Sequence, residues 1–162
     1  MKQAVYLSLG SNVGDREANL RNAIEKLSEL GEVTAVSSWF ETEPVEFTDQ
    51  PWFLNCVVAM TTELVPKNLL SKLLAIEQQM GRRRTLPKGP RLIDIDILLF
   101  GNSVISASGL EVPHPAMHQR KFVLEPLAEI APEVRHPIFK RTVRELLNEL
   151  HDHAQVRKIV KV

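Results

Sequence analysis

The sequence has little cysteine, no excess of charge of either sign and no long apolar run, and each absence excludes a class of protein. Cys56 is the single cysteine, so neither an internal disulfide nor a cysteine-based zinc cluster can form. The 20 Lys and Arg balance 20 Asp and Glu, whereas proteins that bind nucleic acid or membrane surfaces usually carry a basic excess. No run approaches the ~20 apolar residues of a membrane span, and the amino terminus lacks the apolar region of a signal peptide. We therefore expect a cytoplasmic protein that binds neither nucleic acid nor membranes.

The standard motifs for nucleotide binding and nucleophilic catalysis are also absent. The sequence contains no Walker A pattern, no G-x-G-x-x-G and no G-x-S-x-G. The turn at residues 10–12, Gly-Ser-Asn, could cradle a phosphate, but a simple strand-to-helix turn explains it better. Any nucleotide that binds here must therefore be held without a standard glycine loop.

The composition is that of an ordinary folded protein, and the length fits one domain. Of the 162 residues, 44% are hydrophobic and 25% are charged, which excludes a disordered chain. Because a domain usually has roughly 100–200 residues, we expect a single domain over residues 1–162. A monomer is the default expectation.

Hydrophobic periodicity predicts alternating strands and helices. The predicted strands are residues 4–9, 33–42, 53–63 and 91–100, with a short edge strand within 156–162. The predicted helices begin near Asp15, Pro66 and Thr142, and the first two end at Gly31 and Gly81. Thr142 and Glu145 have the spacing of a capping box. The order β-α-β-β-α-β predicts an α+β sandwich in which helices pack on one largely antiparallel sheet.

The strongest chemical signal is the stretch RLIDIDILLF, residues 91–100. Side chains alternate along a strand, so Asp94 and Asp96 share one face about 6–7 Å apart, while the isoleucines share the core face. At an effective dielectric constant near 20, the two carboxylates repel by about 2–3 kcal/mol. A Mg²⁺ ion, which takes one or two carboxylates together with water and substrate phosphates, would relieve that repulsion. The alternative is a solvated sheet face, because D-x-D alone is a weak motif.

A run of basic residues leads into this strand. Between Glu77 and Asp94 the sequence has no acidic residue, and its cations are Arg82, Arg83, Arg84, Lys88 and Arg91. Arginine binds phosphate oxygens in a bidentate manner and lysine acts as a point charge. A cationic loop beside two carboxylates predicts a site for a metal-bound nucleotide, although a charged surface loop is the alternative.

Three weaker candidates lie elsewhere in the sequence. His114 stands between two prolines and could donate to a phosphate, and Arg120 could add a second cationic contact. Asn55 follows Phe53 on a predicted strand, and an amide next to an aromatic ring suits the edge of a heterocycle. Each of these residues also has an ordinary structural explanation when taken alone.

Six stretches of the sequence form a set that is specific to one enzyme family. They are LSLGSNVGDR, FETEPV, DQPWFLN, IEQQMGR, GPRLIDIDILLFG and VPHPAMHQRKFVLEPLAEIAPE. With these, the chain resembles the 6-hydroxymethyl-7,8-dihydropterin pyrophosphokinase family over essentially its full length. The resemblance implies a ferredoxin-like α+β fold. It also implies transfer of an intact diphosphate from ATP to the pterin hydroxymethyl oxygen, in the presence of Mg²⁺, as a step of folate biosynthesis.

The resemblance also implies roles for individual residues. Asp94 and Asp96 would hold two magnesium ions that bridge the ATP phosphates. The arginines expected to contact the phosphates or close over them are Arg82, Arg84 and Arg91. The other positions of the ATP site are Glu77, Ile97, His114 and Arg120. The residues expected to form the pterin pocket are Thr42, Val45, Phe53, Asn55 and Phe122.

Two other classes of function remain open from the sequence. Similar α+β sandwiches bind RNA on a sheet face, but the zero net charge and the carboxylates, where such modules present aromatic rings, argue against RNA binding. A two-metal nuclease that uses Asp94, Asp96 and Glu77 is the third candidate. An assay that contains ATP, a reduced pterin alcohol and an oligonucleotide separates the three functions.

Overall fold

The computed structural model of the chain describes residues 1–43, 49–81, 91–151 and 155–159. Its strands are β1 (Gln3–Ser11), β2 (Glu32–Val36), β3 (Phe40–Thr42), β4 (Phe53–Thr62), β5 (Asp94–Phe100), β6 (Ile105–Ala107), β7 (Leu110–Val112) and β8 (Val156–Lys158). Its helices are α1 (Arg16–Leu27), α2 (Pro66–Gln79), α3 (Lys121–Ile130) and α4 (Val143–Glu149). No helix in this part of the chain is long and apolar enough to cross a membrane.

Six of the strands form one sheet in which every pairing described is antiparallel. The order is β5-β1-β4-β3-β8, with β2 also paired to β4. The two longest strands, β1 and β4, lie side by side in the centre. The short β6 and β7 form a separate hairpin sheet. The predicted antiparallel α+β sandwich is therefore confirmed.

Apolar side chains on both faces of the sheet are buried under helices. On one face, α1 and α2 cover a core that includes Leu7, Leu9 and Cys56. On the other face, α3 and α4 cover a second core around Val57, Leu98 and Leu124. The switch from Cys56 to Val57 between the two cores follows from the alternation of side chains along a strand. The central strands are thus hydrophobic on both sides, and polar groups are placed where the helices leave the sheet uncovered.

The predicted helix starts are confirmed by their capping contacts. The Asp15 carboxylate accepts a hydrogen bond from the N–H of Ala18 at 3.1 Å and caps α1. Pro66 occupies the first turn of α2, where its missing N–H costs nothing. At α4, Thr142 and Glu145 form the reciprocal capping box.

Several predicted boundaries were wrong. Residues 33–42 form two strands, β2 and β3, because Ser37 interrupts the run: its hydroxyl accepts from the N–H of Val57 at 2.9 Å. Helix α1 ends at Leu27, with Ser28 as its C-cap residue, before Gly31. A Cβ atom at Gly31 would lie 2.1 Å from the Thr61 carbonyl oxygen, so this glycine permits close approach to β4. Strand β5 begins at Asp94 rather than at residue 91.

The predicted edge strand in the carboxyl-terminal segment is confirmed as β8, which pairs with β3. The three-residue β3 is therefore held between β4 and β8. This arrangement matters for the site, because β3 contributes one of its walls.

Candidate active site

A cavity opens at one edge of the sheet, on the face that α3 and α4 cover elsewhere. Its lining residues come from β1, β3, β4, β5 and the start of α3; they are Ser8, Gly10, Thr42, Glu43, Phe53, Asn55, Arg91, Asp94, Asp96, Arg120 and Phe122. Because antiparallel strands alternate in direction, this edge collects the end of β1 and the beginnings of β4 and β5. Eight residues of the sequence prediction lie on the wall of this one cavity.

Gly10 separates the two chemically different ends of the cavity. It pairs directly with Asn55 of β4 on one side and with Asp94 of β5 on the other. Strand β1 lies between β4 and β5, and neighbouring strands are about 5 Å apart, so the backbones of Asn55 and Asp94 are separated by about two strand spacings. A Cβ atom at Gly10 would lie 2.6 Å from Asn55 Oδ1. The missing side chain therefore keeps the space between the two ends open.

The carboxylate end is built on the first residues of β5. Asp94 and Asp96 both line the cavity, as strand alternation predicts. Arg91 Nη1 donates to Asp94 Oδ2 at 3.1 Å, and each of these side chains is about one-fifth exposed. In such a partly screened position a carboxylate and a guanidinium group can both contact a ligand, one through a cation and the other through phosphate oxygens.

Glu77 lies behind this strand rather than on the cavity wall. It is buried in α2, and its Oε2 accepts a hydrogen bond from the N–H of Ile95 at 2.8 Å. Ile95 is the residue between Asp94 and Asp96, so the bond fixes the backbone that carries both aspartates. The predicted role of Glu77 in ATP binding stays a prediction, and the structure adds a clear structural role.

The amide end is fixed by a buried hydrogen bond. Asn55 is 4% exposed and its Nδ2 donates to Thr42 Oγ1 at 2.6 Å, which joins β4 to β3. With one N–H engaged, the Asn55 carbonyl and its second N–H determine what hydrogen-bonding pattern a ligand must offer. Phe53 and Phe122 line the same end and provide flat apolar surfaces.

The start of α3 brings a second guanidinium group to the cavity. Arg120 precedes the helix, and its Cζ atom lies 5.7 Å from the centroid of the Phe122 ring. This cation–π contact orients the side chain without neutralising its charge. Arg120 and Arg91 therefore both present positive charge to the cavity that Asp94 and Asp96 line.

A second cavity continues from the first along the outer side of β5. Asp96 lines both cavities, and Ile97 and His114 line the second one. The His114 backbone N–H donates to the Leu98 carbonyl at 2.9 Å, and its Nδ1 accepts from the N–H of Ala116 at 3.2 Å. Because Nδ1 is the acceptor, the neutral ring carries its proton on Nε2 and can donate from there.

Three predicted site residues, Val45, Arg82 and Arg84, lie outside the residues that the structure describes. The same holds for Arg83 and Lys88 of the basic run. The expected contacts of Val45 with pterin and of Arg82 and Arg84 with phosphate stay predictions that rest on the resemblance, and those of Arg83 and Lys88 stay predictions that rest on the basic run alone.

Asn12 organises the site, and the sequence analysis did not identify it. The residue is 2% exposed and exchanges two hydrogen bonds with the backbone of Arg91: its N–H donates at 3.0 Å and its Oδ1 accepts at 2.7 Å. Its Nδ2 donates to Gln50 Oε1 at 2.8 Å and to the Pro51 carbonyl at 3.0 Å. Asn12 thus connects the segment that enters β5 to the segment that enters β4. Only its place directly after the turn at Gly10 could have indicated this.

The carboxylates of Asp94 and Asp96 on β5 suit a hard divalent cation whose remaining ligands are water and substrate phosphates. Within the described ranges no three His, Cys, Asp or Glu side chains are grouped as a metal cage. Two carboxylates beside an open cavity suit Mg²⁺, which keeps water and substrate phosphates in its coordination sphere. A third acidic ligand for a nuclease is not supplied by Glu77, whose carboxylate is hydrogen-bonded behind the strand.

Cys56 plays no part in this chemistry. Burial raises the pKa of its thiol to about 12, and it lies in the core under α1 and α2. A thiolate nucleophile at neutral pH is therefore excluded.

Known proteins resemble the chain in sequence. The family model described as 7,8-dihydro-6-hydroxymethylpterin-pyrophosphokinase (HPPK) matches residues 6–132. The 2-amino-4-hydroxy-6-hydroxymethyldihydropteridine pyrophosphokinase of Aquifex aeolicus is 45% identical over 145 residues, which are 90% of this chain and 91% of that protein. The protein of the same name from Bacillus subtilis is 48% identical over 136 residues, 83% of this chain and 81% of that protein.

Other relatives are much longer than this chain. The folic acid synthesis protein fol1 of Pneumocystis carinii is 41% identical over 152 residues, which are 93% of this chain but only 20% of fol1. The crystal structure of wild-type Plasmodium falciparum HPPK-DHPS with pteroate superposes with a TM-score of 0.74 at 18% identity, and covers 92% of this chain and 42% of that one. At such low identity the structural likeness concerns the fold, which the two chains share.

Proposed function

The chain belongs to the 7,8-dihydro-6-hydroxymethylpterin-pyrophosphokinase family, and from this premise we propose that it transfers the terminal diphosphate of ATP to the hydroxymethyl group of 6-hydroxymethyl-7,8-dihydropterin. The products are AMP and the pterin diphosphate, and the reaction is a step of folate biosynthesis. In chemical terms, the pterin hydroxyl oxygen releases its proton and forms a bond to the β-phosphorus. The bond from that phosphorus to the oxygen bridging the α- and β-phosphates breaks, and AMP leaves.

The observation that carries the proposal is the arrangement of three neighbouring strands around Gly10. A buried amide on β4 and two carboxylates on β5 face one cavity and are separated only by a residue without a side chain. A heterocycle bound at the amide end would place a substituent toward the carboxylate end. That geometry supports transfer between a bound ring and a bound polyphosphate, because catalysis of phosphoryl transfer consists largely of positioning and charge stabilisation.

At the amide end, Asn55 and Thr42 would select the pterin. The pterin ring presents an edge of alternating donors and acceptors, and the hydrogen bond from Asn55 to Thr42 holds the amide in one orientation toward it. Phe53 and Phe122 would stack on the faces of the ring. The resemblance of the chain to the family predicts that Val45 also contributes to this pocket.

At the other end, the basic side chains would bind the triphosphate. Arg91 and Arg120 line the cavity and present guanidinium groups that match phosphate oxygens. His114 and Ile97, along the outer side of β5, would contact the rest of the nucleotide. Arg82 and Arg84 join this set by their place in the basic run.

Asp94 and Asp96 would hold two magnesium ions. When bound there, the ions supply neutralisation of the charge that develops on the phosphate oxygens. The aspartates need a fixed backbone to do so, and the hydrogen bond from the Ile95 N–H to Glu77 provides it. Glu77 is therefore a positioning residue in this proposal, in addition to its predicted contact with ATP. A monomeric state, a cytoplasmic location and a single domain over 1–162 stay predictions from the sequence.

One assay tests the proposed function against its alternatives. The purified chain is mixed with Mg-ATP, the reduced pterin alcohol and a labelled oligonucleotide, and nucleotides are separated by chromatography. We expect AMP to form in equal amount to the pterin diphosphate and only when the pterin is present. ADP as the nucleotide product, or AMP formation independent of pterin, contradicts the proposal. Cleavage of the oligonucleotide would indicate a nuclease, and retention of it without reaction would indicate an RNA-binding module.

A further inference from the structure

A cluster of three charged residues and one tryptophan lies directly behind the amide end of the cavity, where the pterin would bind, on the opposite face of the sheet. We call it the Glu41 cluster; its members are Arg16, Glu41, Trp52 and Arg157. Arg16 Nη2 contacts Glu41 Oε2 at 2.9 Å, and Arg157 Nη2 contacts Glu41 Oε1 at 2.7 Å. Each carboxylate oxygen thus has its own guanidinium partner. The Glu41 side chain is only 19% exposed, so these contacts are shielded more than ordinary surface pairs.

The same two arginines also hold the segment that enters β4. Arg16 Nη1 donates to the Trp52 carbonyl oxygen at 2.9 Å, and the Arg157 Cζ atom lies 4.7 Å from the centroid of the Trp52 ring. Glu41 and Trp52 each immediately precede a residue of the cavity wall, Thr42 and Phe53 respectively. Side chains alternate along strands, so Thr42 and Phe53 face the cavity while Glu41 and Trp52 face the opposite side of the sheet. The arginine contacts that hold Glu41 and Trp52 therefore also hold the backbone that carries Thr42 and Phe53.

The cluster depends on a part of the chain that the family model does not reach. The match ends at residue 132, and Arg157 lies on β8, where it is the direct cross-strand partner of Glu41. Next to it, Gln155 exchanges hydrogen bonds with Glu43, another residue of the cavity wall: the Gln155 N–H donates to Glu43 Oε1 at 2.9 Å, and the Glu43 N–H donates to the Gln155 carbonyl at 3.3 Å. The carboxyl-terminal strand therefore supports the pterin end at two adjacent positions.

We propose that Arg157 is a positioning residue for pterin binding, which acts through Glu41 and Trp52 to hold β3 and the start of β4 at the spacing that the pterin pocket requires. The proposal rests on the proposed function, because it names the substrate whose affinity should change. β3 has three residues and little structure of its own, so its position is set by its neighbours. Loss of Arg157 removes the cross-strand pair on one side and the ring contact on the other.

The exposure of Arg157 provides a way to separate this role from simple stabilisation. Its side chain is 62% exposed, and ion pairs of exposed side chains contribute little to the free energy of unfolding. Removal of an exposed ion pair that has no positioning role would therefore leave both the melting temperature and the affinity for the pterin nearly unchanged. A positioning residue would change the affinity for the pterin while the melting temperature stays close to that of the wild type.

The test compares Arg157→Ala with Lys158→Ala. Lys158 is the next residue of β8 and pairs with Glu129 at 2.8 Å, outside the Glu41 cluster, so it is a matched loss of one cation from the same strand. Pterin dissociation constants are measured by calorimetry at saturating nonhydrolysable ATP analogue and Mg²⁺, and the analogue is titrated separately. Steady-state kcat and KM and the melting temperature are measured for every variant.

We expect Arg157→Ala to weaken pterin binding about three- to tenfold, which is the net contribution of one ordinary hydrogen bond. Analogue binding and kcat should be unchanged, and Arg157→Lys should restore part of the affinity because it keeps the charge. Lys158→Ala should bind the pterin as the wild type does. Glu41→Gln, which weakens both arginine contacts at once, should have a larger effect in the same direction.

Four results overturn the inference. If the affinity for the pterin is unchanged in both Arg157→Ala and Glu41→Gln, Arg157 has no positioning role. The same conclusion follows if Lys158→Ala loses as much pterin affinity as Arg157→Ala does. A parallel loss of pterin and analogue affinity would show a general disturbance of the fold. A wild-type chain that neither binds nor converts the pterin overturns the proposed function as well, whereas an active wild type with unaffected variants overturns this inference alone.

Discussion

The two ends of the cavity are held in place by different kinds of interaction. At the amide end, a hydrogen bond between two buried neutral groups, Asn55 and Thr42, fixes the amide, and a glycine leaves room beside it. At the carboxylate end, the groups are charged and partly buried, with Arg91 paired to Asp94. A buried hydrogen bond is directional and distinguishes one heterocycle from another. Charges act over a longer range and suit a flexible polyphosphate.

This difference predicts that substitutions will divide into two groups. Changes at the carboxylate end should lower turnover, because charge stabilisation matters most in the transition state. Changes at the amide end should lower affinity for one substrate, because the ring is bound equally before and during the reaction. Asn12, which contacts both ends, is the exception and tests whether the ends are independent.

The largest effect is expected from Asp96→Asn, which keeps the size of the side chain and removes its charge. We expect turnover to fall by about 100-fold or more, while the pterin dissociation constant changes by less than about twofold. Single-turnover kinetics and pterin calorimetry measure the two quantities. Glu32→Gln, on an exposed carboxylate at the start of β2, is the control and should behave as wild type. Turnover close to wild type in Asp96→Asn refutes the role of the carboxylate pair.

A smaller and opposite pattern is expected from Asn55→Ala. The substitution removes the groups that would face the pterin edge and leaves the buried Thr42 hydroxyl without its donor. We expect pterin affinity to fall about 10- to 100-fold, with the affinity for the ATP analogue unchanged. Thr42→Val should cause a smaller loss, since it only releases the orientation of the amide. If analogue binding fell as much as pterin binding, the two ends could not be treated as separate.

Asn12→Ala should be the variant that affects both ends. It removes the side-chain bonds to the backbone N–H of Arg91 and to Gln50 and Pro51. We expect pterin and analogue affinities each to fall about three- to tenfold, because each lost bond is worth on the order of 1 kcal/mol. Asn148→Ala, an exposed asparagine of α4, serves as the control. An effect on one ligand only would show that Asn12 serves a single end.

The smallest effect on the site is expected from His136, which lies outside both cavities. Burial lowers the pKa of its imidazole, and the nearby His118 lowers it further. The folded state therefore binds a proton at His136 less readily than the unfolded state does. The contribution of this residue to the free energy of unfolding is fully present above the ordinary histidine pKa, and it is lost as the pH falls through that pKa toward the lowered value.

We expect the free energy of unfolding to decrease between pH 7 and pH 5, and part of this decrease to vanish in His136→Asn. The asparagine Oδ1 can replace Nδ1 as acceptor for the N–H groups of Ile138 and Phe139. Denaturant titrations across this pH range provide the measurement. The affinities for the pterin and for the ATP analogue should be unaffected. A change in either affinity would show that His136 influences the site although it lines neither cavity.

The parts of the molecule that sequence could predict are those with local signals. Strand alternation placed Asp94 and Asp96 on one face, and capping residues located the starts of the helices. The break between β2 and β3 was missed because Ser37 bonds to Val57, twenty residues away, and strand propensity contains no such information.

The roles of Gly10 and Asn12 were missed for a similar reason. A glycine in a turn has a sufficient local explanation, and its position between Asn55 and Asp94 depends on how three separate strands pair. Asn12 and Arg91 are 79 residues apart in sequence, and their hydrogen bond follows from the same pairing. The resemblance to a known family predicted the site residues, and the register of the sheet explains why those on β1, β4 and β5 that the structure describes lie close together.

The central claim is that a carboxylate pair on β5 binds a divalent cation that joins it to the triphosphate. The most direct measurement is calorimetric titration of a nonhydrolysable ATP analogue, with and without Mg²⁺, into the wild type and Asp96→Asn. We predict that Mg²⁺ strengthens analogue binding to the wild type by about tenfold or more and that this gain is largely lost in Asp96→Asn. An equal gain in both proteins, or no gain in the wild type, would contradict the account.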